Sequence, residues 1–347
     1  MPILGRRLLV LAAALLLAGC AAGGGQRPPS RAVVLVSGLA SISPYTSPDA
    51  ACTQGLAAGS ADTALREHLL DRGHTVFTAP SMAGPGPVRD QTGFGAFAGC
   101  PAPLAADLTV DSTGGIDAAG AQLARFIDWL HTEHQVDEID LVGHSMGGLY
   151  ARAAVRTLRS GGAPVAVRSL TTIGTPWQGS YLADFAENSV PLSDCGGDQF
   201  CESQMQGYAK DIAAVYVSGS ARELAQSYLM GAGGWNSAQA GVLDDIPVTV
   251  IGGNHFTAAR EADAAVWPND GVVELRSALA VGIDDAVLPH RRCVVVDDTH
   301  SDYVSMIADL PRETALTWDP RVLDAVAAAI DAAPGSLGAP NRQGCQL

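Results

Sequence analysis

The sequence predicts an α/β fold, a doubly wound and mostly parallel sheet with an inserted helical cap. Three observations point there. Short continuous apolar runs, such as the one from Arg31 to Ser37, read as strands buried on both faces. These runs alternate with longer stretches of helical spacing, the rhythm of a parallel sheet covered by helices on both sides. The rhythm breaks over 81–114 and 176–244, and long insertions of this kind sit over strand ends, where function resides.

The elements follow in order. The first strand, 31–37, leads through a Gly- and Pro-containing loop to a helix over 62–72. There Leu65, Leu69 and Leu70 share a face and Gly73 ends the run. His74 to Thr78 reads as a second strand, and 81–114 is loop-rich, with many Gly and Pro. Ile116 to His134 has the period of an amphipathic helix. Glu138 to Val142 is the third strand, and Met146 to Arg159 is a helix stopped by Gly161-Gly162. Val167 to Ile173 is a further strand. Residues 176–244 carry no strand signal. Pro247 to Gly252 restores the strand pattern, and Cys293 to Val296 is read as the last strand. Asp319 to Ala332 closes the chain as a helix, with Val322, Leu323, Val326 and Ile330 on spacing. No internal repeat is visible.

The first nineteen residues stand apart. Arg6 and Arg7 precede an apolar run from Leu8 to Leu17, which is too short to cross a bilayer and ends in small residues. The ending Leu17-Ala18-Gly19-Cys20 resembles the lipobox of bacterial lipoproteins. That resemblance implies a signal peptide over 1–19, lipidation at Cys20, and an exported chain anchored to the cell envelope at the outer membrane or cell surface. Residues 20–30, rich in Gly, Pro and Ala, read as a flexible tether to a domain over 31–347.

The net charge of −15 argues against a nucleic-acid partner, because phosphates demand the opposite sign. An acidic surface favours solubility, and a monomer is expected. Of seven cysteines, setting Cys20 aside leaves an even number in an exported chain, which predicts three disulfides. The simplest set without nesting is Cys52–Cys100, Cys195–Cys201 and Cys293–Cys345. The Cys-Xaa-Xaa-Cys spacing of a zinc site is absent.

Gly143-His144-Ser145-Met146-Gly147 lies between an apolar strand and a helix, as a nucleophile elbow requires. The glycines allow close approach of strand and helix. The helix N-terminus favours negative charge developing at Ser145. A serine needs a base, and on this layout the chain order is Ser, acid, His. That order excludes His68, His74, His131, His134 and His144 as the base. Among His255, His290 and His300, only His300 lies on a loop just after a buried strand and leaves room for an acid before it. Asp270, in Pro268-Asn269-Asp270-Gly271, is the preferred acid, with Asp263 as a rival. Asp297 and Asp298 lie too near His300 in sequence. The oxyanion donors are the backbone N–H groups of Met146 and of Leu39, in the loop after the first strand.

With these residues the chain resembles bacterial secreted lipases and esterases of the α/β-hydrolase superfamily, the triacylglycerol lipases among them. Four segments carry the resemblance: Ser37-Gly38-Leu39, the elbow through Tyr150, Thr172 to Ser180, and Asn269 to Val273 with the later His300. It implies a serine hydrolase that cleaves carboxylic esters through an acyl-Ser145 intermediate. The triad would be Ser145, Asp270 and His300, with no cofactor, and 176–244 would be either a lid or a packing insertion without a gating role. The family usually has His-Gly where Ser37-Gly38 stands here. Asp302 occupies a place that holds calcium in some relatives, but its partner is missing, so no metal is expected. An envelope acyltransferase on the same triad is the alternative, and a non-catalytic surface module a more distant one.

Overall fold

The computed structural model describes residues 30–50, 52, 64–89, 99–215, 220–258, 266–332, 341–343 and 345. The signal peptide, Cys20, most of the tether and Asp263 lie outside the described residues.

The described residues form nine strands: β1 (Arg31–Val36), β2 (Val76–Thr78), β3 (Ser81–Met82), β4 (Val110–Asp111), β5 (Glu138–His144), β6 (Ala166–Ile173), β7 (Val248–Gly253), β8 (His290–Val296) and β9 (Asn341–Gln343). Seven of them build one sheet in the order β2-β1-β5-β6-β7-β8-β9. Every pairing in it is parallel. The chain runs from β1 outward to β2, then returns to the other side of β1 with β5. The winding therefore reverses between β1 and β5. In open α/β sheets, a crevice forms at such a reversal, outside the carboxyl ends of the strands.

Burial follows the pleat. Val34 and Val36 of β1 face a core built with the helices Ile116–His134 and Gly147–Gly161, which supply Ile116, Leu123, Phe126, Ile127, Leu130 and Leu149. Val33 and Leu35 face the opposite core, with Leu65 and Leu69 from Ala64–Asp71 and Val322, Val326 and Ile330 from Pro320–Asp331. Alternate residues of one strand thus serve two cores, as expected of a sheet covered on both sides. Truncating a ring such as Phe126 to Ala at this depth costs about 3–5 kcal/mol. Local signals set the helix ends. Gln135 and Gly162 turn left-handed after the two long helices. Asp319 caps the last helix through the Arg321 amide, with Pro320 in its first turn.

One expectation needs correction. The last strand is β9, not β8. Asn341, Arg342 and Gln343 have no apolar pattern, and they pair with His290, Arg291 and Arg292 at the sheet edge. A disulfide joins Cys293 of β8 to Cys345 just beyond β9, so a crosslink over long sequence separation holds what propensity does not. The loop-rich region 81–114 carries two short strands. Its β3 and β4 pair as a small separate sheet. The other two disulfides are Cys52–Cys100 and Cys195–Cys201.

The described part of 176–244 is helical: Tyr181–Ala186, Gln199–Val215, Ser220–Glu223 and Gln226–Met230. Its ends are built into the main core through Trp177, Leu229, Trp235 and Leu243. Among the described residues, no helix is long and apolar enough to cross a membrane.

Candidate active site

Ser145 follows the central strand β5 and is half-buried. Its φ of 54° is a left-handed value that a side chain adopts only under constraint. The constraint is visible. Its amide donates to Ile173 O at 2.8 Å, and its carbonyl accepts from Thr175 Oγ1 at 2.8 Å. Gly147, behind it, lies so near β1 that a Cβ there would sit 2.2 Å from Val36 O. That contact explains why the elbow needs glycine at this position.

The loop after β1 crosses the same point. A Cβ on Gly38 would sit 2.6 Å from Ser145 Cβ and 3.1 Å from the Met146 amide nitrogen. A side chain at 38 would therefore fill the space beside that N–H. A lattice of serines braces the loop. Ser37 Oγ bonds Ser43 Oγ at 2.8 Å, and Ser41 Oγ donates to Gly38 O at 2.8 Å. Ser41 Oγ also bonds Ser81 Oγ at 2.8 Å, while Ser112 Oγ donates to Ser41 O at 2.9 Å. Ser81 and Ser112 belong to the 81–114 region, so the small β3–β4 sheet buttresses the loop that carries Leu39. Sequence reading missed this support, because single serines carry no signal of their partners.

Asp270 and His300 meet beyond the ends of β7 and β8, which are neighbours in the sheet. His300 Nδ1 lies 2.8 Å from Asp270 Oδ2, and both side chains are buried. Asp270 Oδ1 accepts from the Val272 and Val273 amides at 3.0 and 2.8 Å. The His300 amide donates to Asp270 O at 2.7 Å. Gly174, which directly follows Ile173, passes the pair so closely that a Cβ would lie 3.0 Å from His300 Nδ1 and 3.2 Å from Asp270 Oδ2. The same stretch of β6 that holds the Ser145 amide therefore abuts the Asp–His pair. His255 and His290 lie elsewhere: His255 faces Asp297 at 3.3 Å, and His290 begins β8 at its far end.

His144 is buried, and its Nε2 lies 2.9 Å from His300 O. Burial, then the neighbouring His300, pushes its pKa down to about 3. Asp298, two residues before His300, is also buried, against the carboxyl of Asp319. Burial, then the Asp319 carboxylate, pushes it up to about 8. Behind the acid loop, Glu274 receives the Tyr181 amide at 3.1 Å and is pushed up to about 8, chiefly by burial. A cavity of about 90 Å³ opens there, lined by Gln178, Asp184, Gln226, Glu274 and Ser277 among others; Ser145 does not line it. Phe200, at the start of Gln199–Val215, stacks on Phe256 at 4.6 Å beside Gly271. The inserted helices thus reach the acid loop. Among the described residues, no cluster of three metal-ligating side chains occurs.

Residues 122–281 match the family described as the PGAP1-like alpha/beta domain. That span holds the elbow, β6, β7 and Asp270, but not His300. Over 85 residues the chain is 34% identical to a triacylglycerol lipase of Pseudarthrobacter phenanthrenivorans, covering 24% of this chain and 25% of that protein. A triacylglycerol lipase of Burkholderia plantarii matches at the same 34% over 85 residues, covering 22% of its length. The chain thus spans about a quarter of these curated relatives. Among solved structures it is similar to lipase 1 from Pelosinus fermentans, at 16% identity and TM-score 0.47, covering 86% of this chain and 98% of that one. It is also similar to the esterase Pf2001 of Pyrococcus furiosus, at 14% identity and TM-score 0.47, covering 88% and 85%.

Proposed function

We propose that the chain is an α/β-hydrolase, a lipase or esterase that cleaves carboxylic esters with Ser145 as nucleophile. The observation that carries the reading is the buried Asp270–His300 pair, at 2.8 Å, beyond the ends of β7 and β8, at the same edge of the sheet as the strained Ser145 elbow.

In the proposed cycle, Ser145 Oγ attacks the ester carbonyl carbon while His300 Nε2 takes its proton. Asp270 holds the His300 ring in the tautomer with Nδ1–H and stabilises the imidazolium. The oxyanion forms against the N–H groups of Met146 and Leu39. Collapse of the tetrahedral species breaks the bond to the alcohol oxygen, and His300 returns its proton to that alcohol. Water then repeats the cycle on acyl-Ser145 and releases the acid. The inserted helices of 176–244 act as a cap beside this site, supported by the contact of Phe200 near the acid loop.

The test is turnover of p-nitrophenyl esters of increasing chain length by wild type and Ser145→Ala. Wild type is expected to turn over at least one ester and to react with a fluorophosphonate at Ser145, and the variant to do neither. Turnover retained by Ser145→Ala would overturn the assignment. A rate maximum at long chains would make the enzyme a lipase, at short chains an esterase.

The chain is also proposed to be an envelope lipoprotein anchored through Cys20. Leu17-Ala18-Gly19-Cys20 supports this, as do three disulfides that suit an oxidising compartment. Cys20→Ala is expected to move the protein from the membrane to the soluble fraction, and an unchanged membrane fraction would refute the anchor.

A further inference from the structure

His300 is held at three polar atoms. Its amide donates to Asp270 O at 2.7 Å, its Nδ1 meets Asp270 Oδ2 at 2.8 Å, and its carbonyl faces His144 Nε2 at 2.9 Å. Two of these contacts come from the acid itself. The third comes from the last residue of β5, the one before Ser145. We infer that His144 is a positioning residue: its Nε2–H fixes the His300 main chain so that the remaining ring nitrogen is delivered to the Ser145 elbow. This rests on the triad reading above.

The donor assignment follows from chemistry. A carbonyl oxygen only accepts, so His144 Nε2 carries the hydrogen and, in a neutral ring, Nδ1 is bare. Neutrality matters as much as direction. The two rings lie 4.8 Å apart, centroid to centroid. A His144 cation at that distance would oppose the imidazolium that His300 must become when it takes the serine proton. Burial and His300 itself keep the His144 ring neutral at working pH. His144 therefore supplies a fixed donor without adding a competing charge.

The chain connectivity gives the contact its consequence. β5 is paired on both sides, to β1 and to β6. His144 and Ser145 are consecutive at its end. One rigid strand end thus presents the nucleophile and grips the backbone of the base, although the two are 155 residues apart in sequence (His300 against Ser145). Misplacing a reacting group by about 1 Å can cost up to about 100-fold in rate. A histidine that merely filled space would be satisfied by any nearby carbonyl, whereas this one bonds the main chain of the base.

The test compares three substitutions. His144→Leu is close in volume and has no donor. His144→Gln places an amide N–H near the position of imidazole Nε2. His144→Asn falls short of the carbonyl. Each is assayed for kcat and KM on a p-nitrophenyl ester and for fluorophosphonate labelling rate. The His300 Nδ1 proton is followed by NMR as a low-field resonance. His144→Leu is expected to lower kcat roughly 10- to 100-fold with KM near wild type, and to broaden the low-field signal. His144→Gln is expected to recover most of both. Should His144→Leu not fold, the contrast of Asn against Gln carries the same prediction. Wild-type kcat in His144→Leu, or equal impairment in Leu and Gln with a sharp signal, would overturn the inference. If Ser145→Ala keeps full turnover, the triad reading fails instead, and the NMR comparison still decides whether His144 holds His300.

Discussion

Two buried carboxylates stand near His300, one on each neighbouring loop, and they differ in how completely they are satisfied. Asp270, beyond β7, accepts two backbone N–H groups on Oδ1 and the His300 ring on Oδ2. Asp298, beyond β8, meets the exposed Arg321 at 3.2 Å and shares a hydrogen bond with the Asp319 carboxyl, with no backbone donor among the described residues to fix it. Burial, reinforced by Asp319, pushes Asp298 up to about 8. Asp319 is held low despite burial, because the Arg321 side chain and backbone donate to it. A carboxylate that must orient a histidine has to be held in place, and the two backbone donors hold Asp270. Nearness to His300 in sequence does not do this. Asp298 is two residues away and turns toward the last helix, while Asp270 is thirty residues away and holds the ring.

The contrast is broken most directly at Asp270. In Asp270→Asn, Oδ1 can still accept from Val272 and Val273, so the loop survives. The new amide N–H faces His300 Nδ1 and forces the opposite tautomer, in which Nε2 carries the hydrogen and cannot take the serine proton. The expected loss is about 10⁴-fold in kcat with little change in melting temperature. A loss below tenfold would mean that another acid orients His300.

Asp298→Asn sharpens the contrast from the other side. Its kcat is expected to stay within a few-fold of wild type, and its effect to appear in stability against pH. An acid whose folded pKa is raised binds its proton more tightly when folded. It therefore costs stability progressively as pH climbs from the unfolded value, about 3.9, to the folded one. For Asp298 that window ends at about 8. Wild type should lose melting temperature across it, and Asp298→Asn should lose less. Glu274, also pushed up to about 8, acts over a similar window, so the slope is reduced rather than abolished. An unchanged slope would show that Asp298 is ionised throughout.

Much of this was legible because it is local. The helix Ile116–His134 has the bounds its periodicity predicts, with Gln135 turning left-handed after it. The elbow is a five-residue motif between a strand and a helix, and its strain is encoded by its glycines. Other features were hidden because their partners lie far along the chain. The polar β9 has no strand signature and exists by pairing at an edge beside a disulfide. Chain order excludes His144 as the base, yet its contact with His300 O has no sequence signal. Arg152 is fully buried between Trp177 and Trp235, with its guanidinium 4.1 and 4.7 Å from their rings. That stack ties the elbow helix to both ends of the insertion, and nothing in the spacing of the three residues announces it.

The sequence by itself determined the alternating fold, the elbow at Ser145, and Asp270 and His300 as candidates in chain order. Each rests on short-range periodicity or on the order in which strands deliver their loops. Only the tertiary structure decided which carboxylate holds the His300 ring and which turns toward the last helix, what braces the Leu39 loop, and that His144 contacts His300 O. The reason is physical: burial and hydrogen-bond partnership depend on what the sheet brings together across tens to hundreds of residues, and strand order, not composition, sets those neighbours.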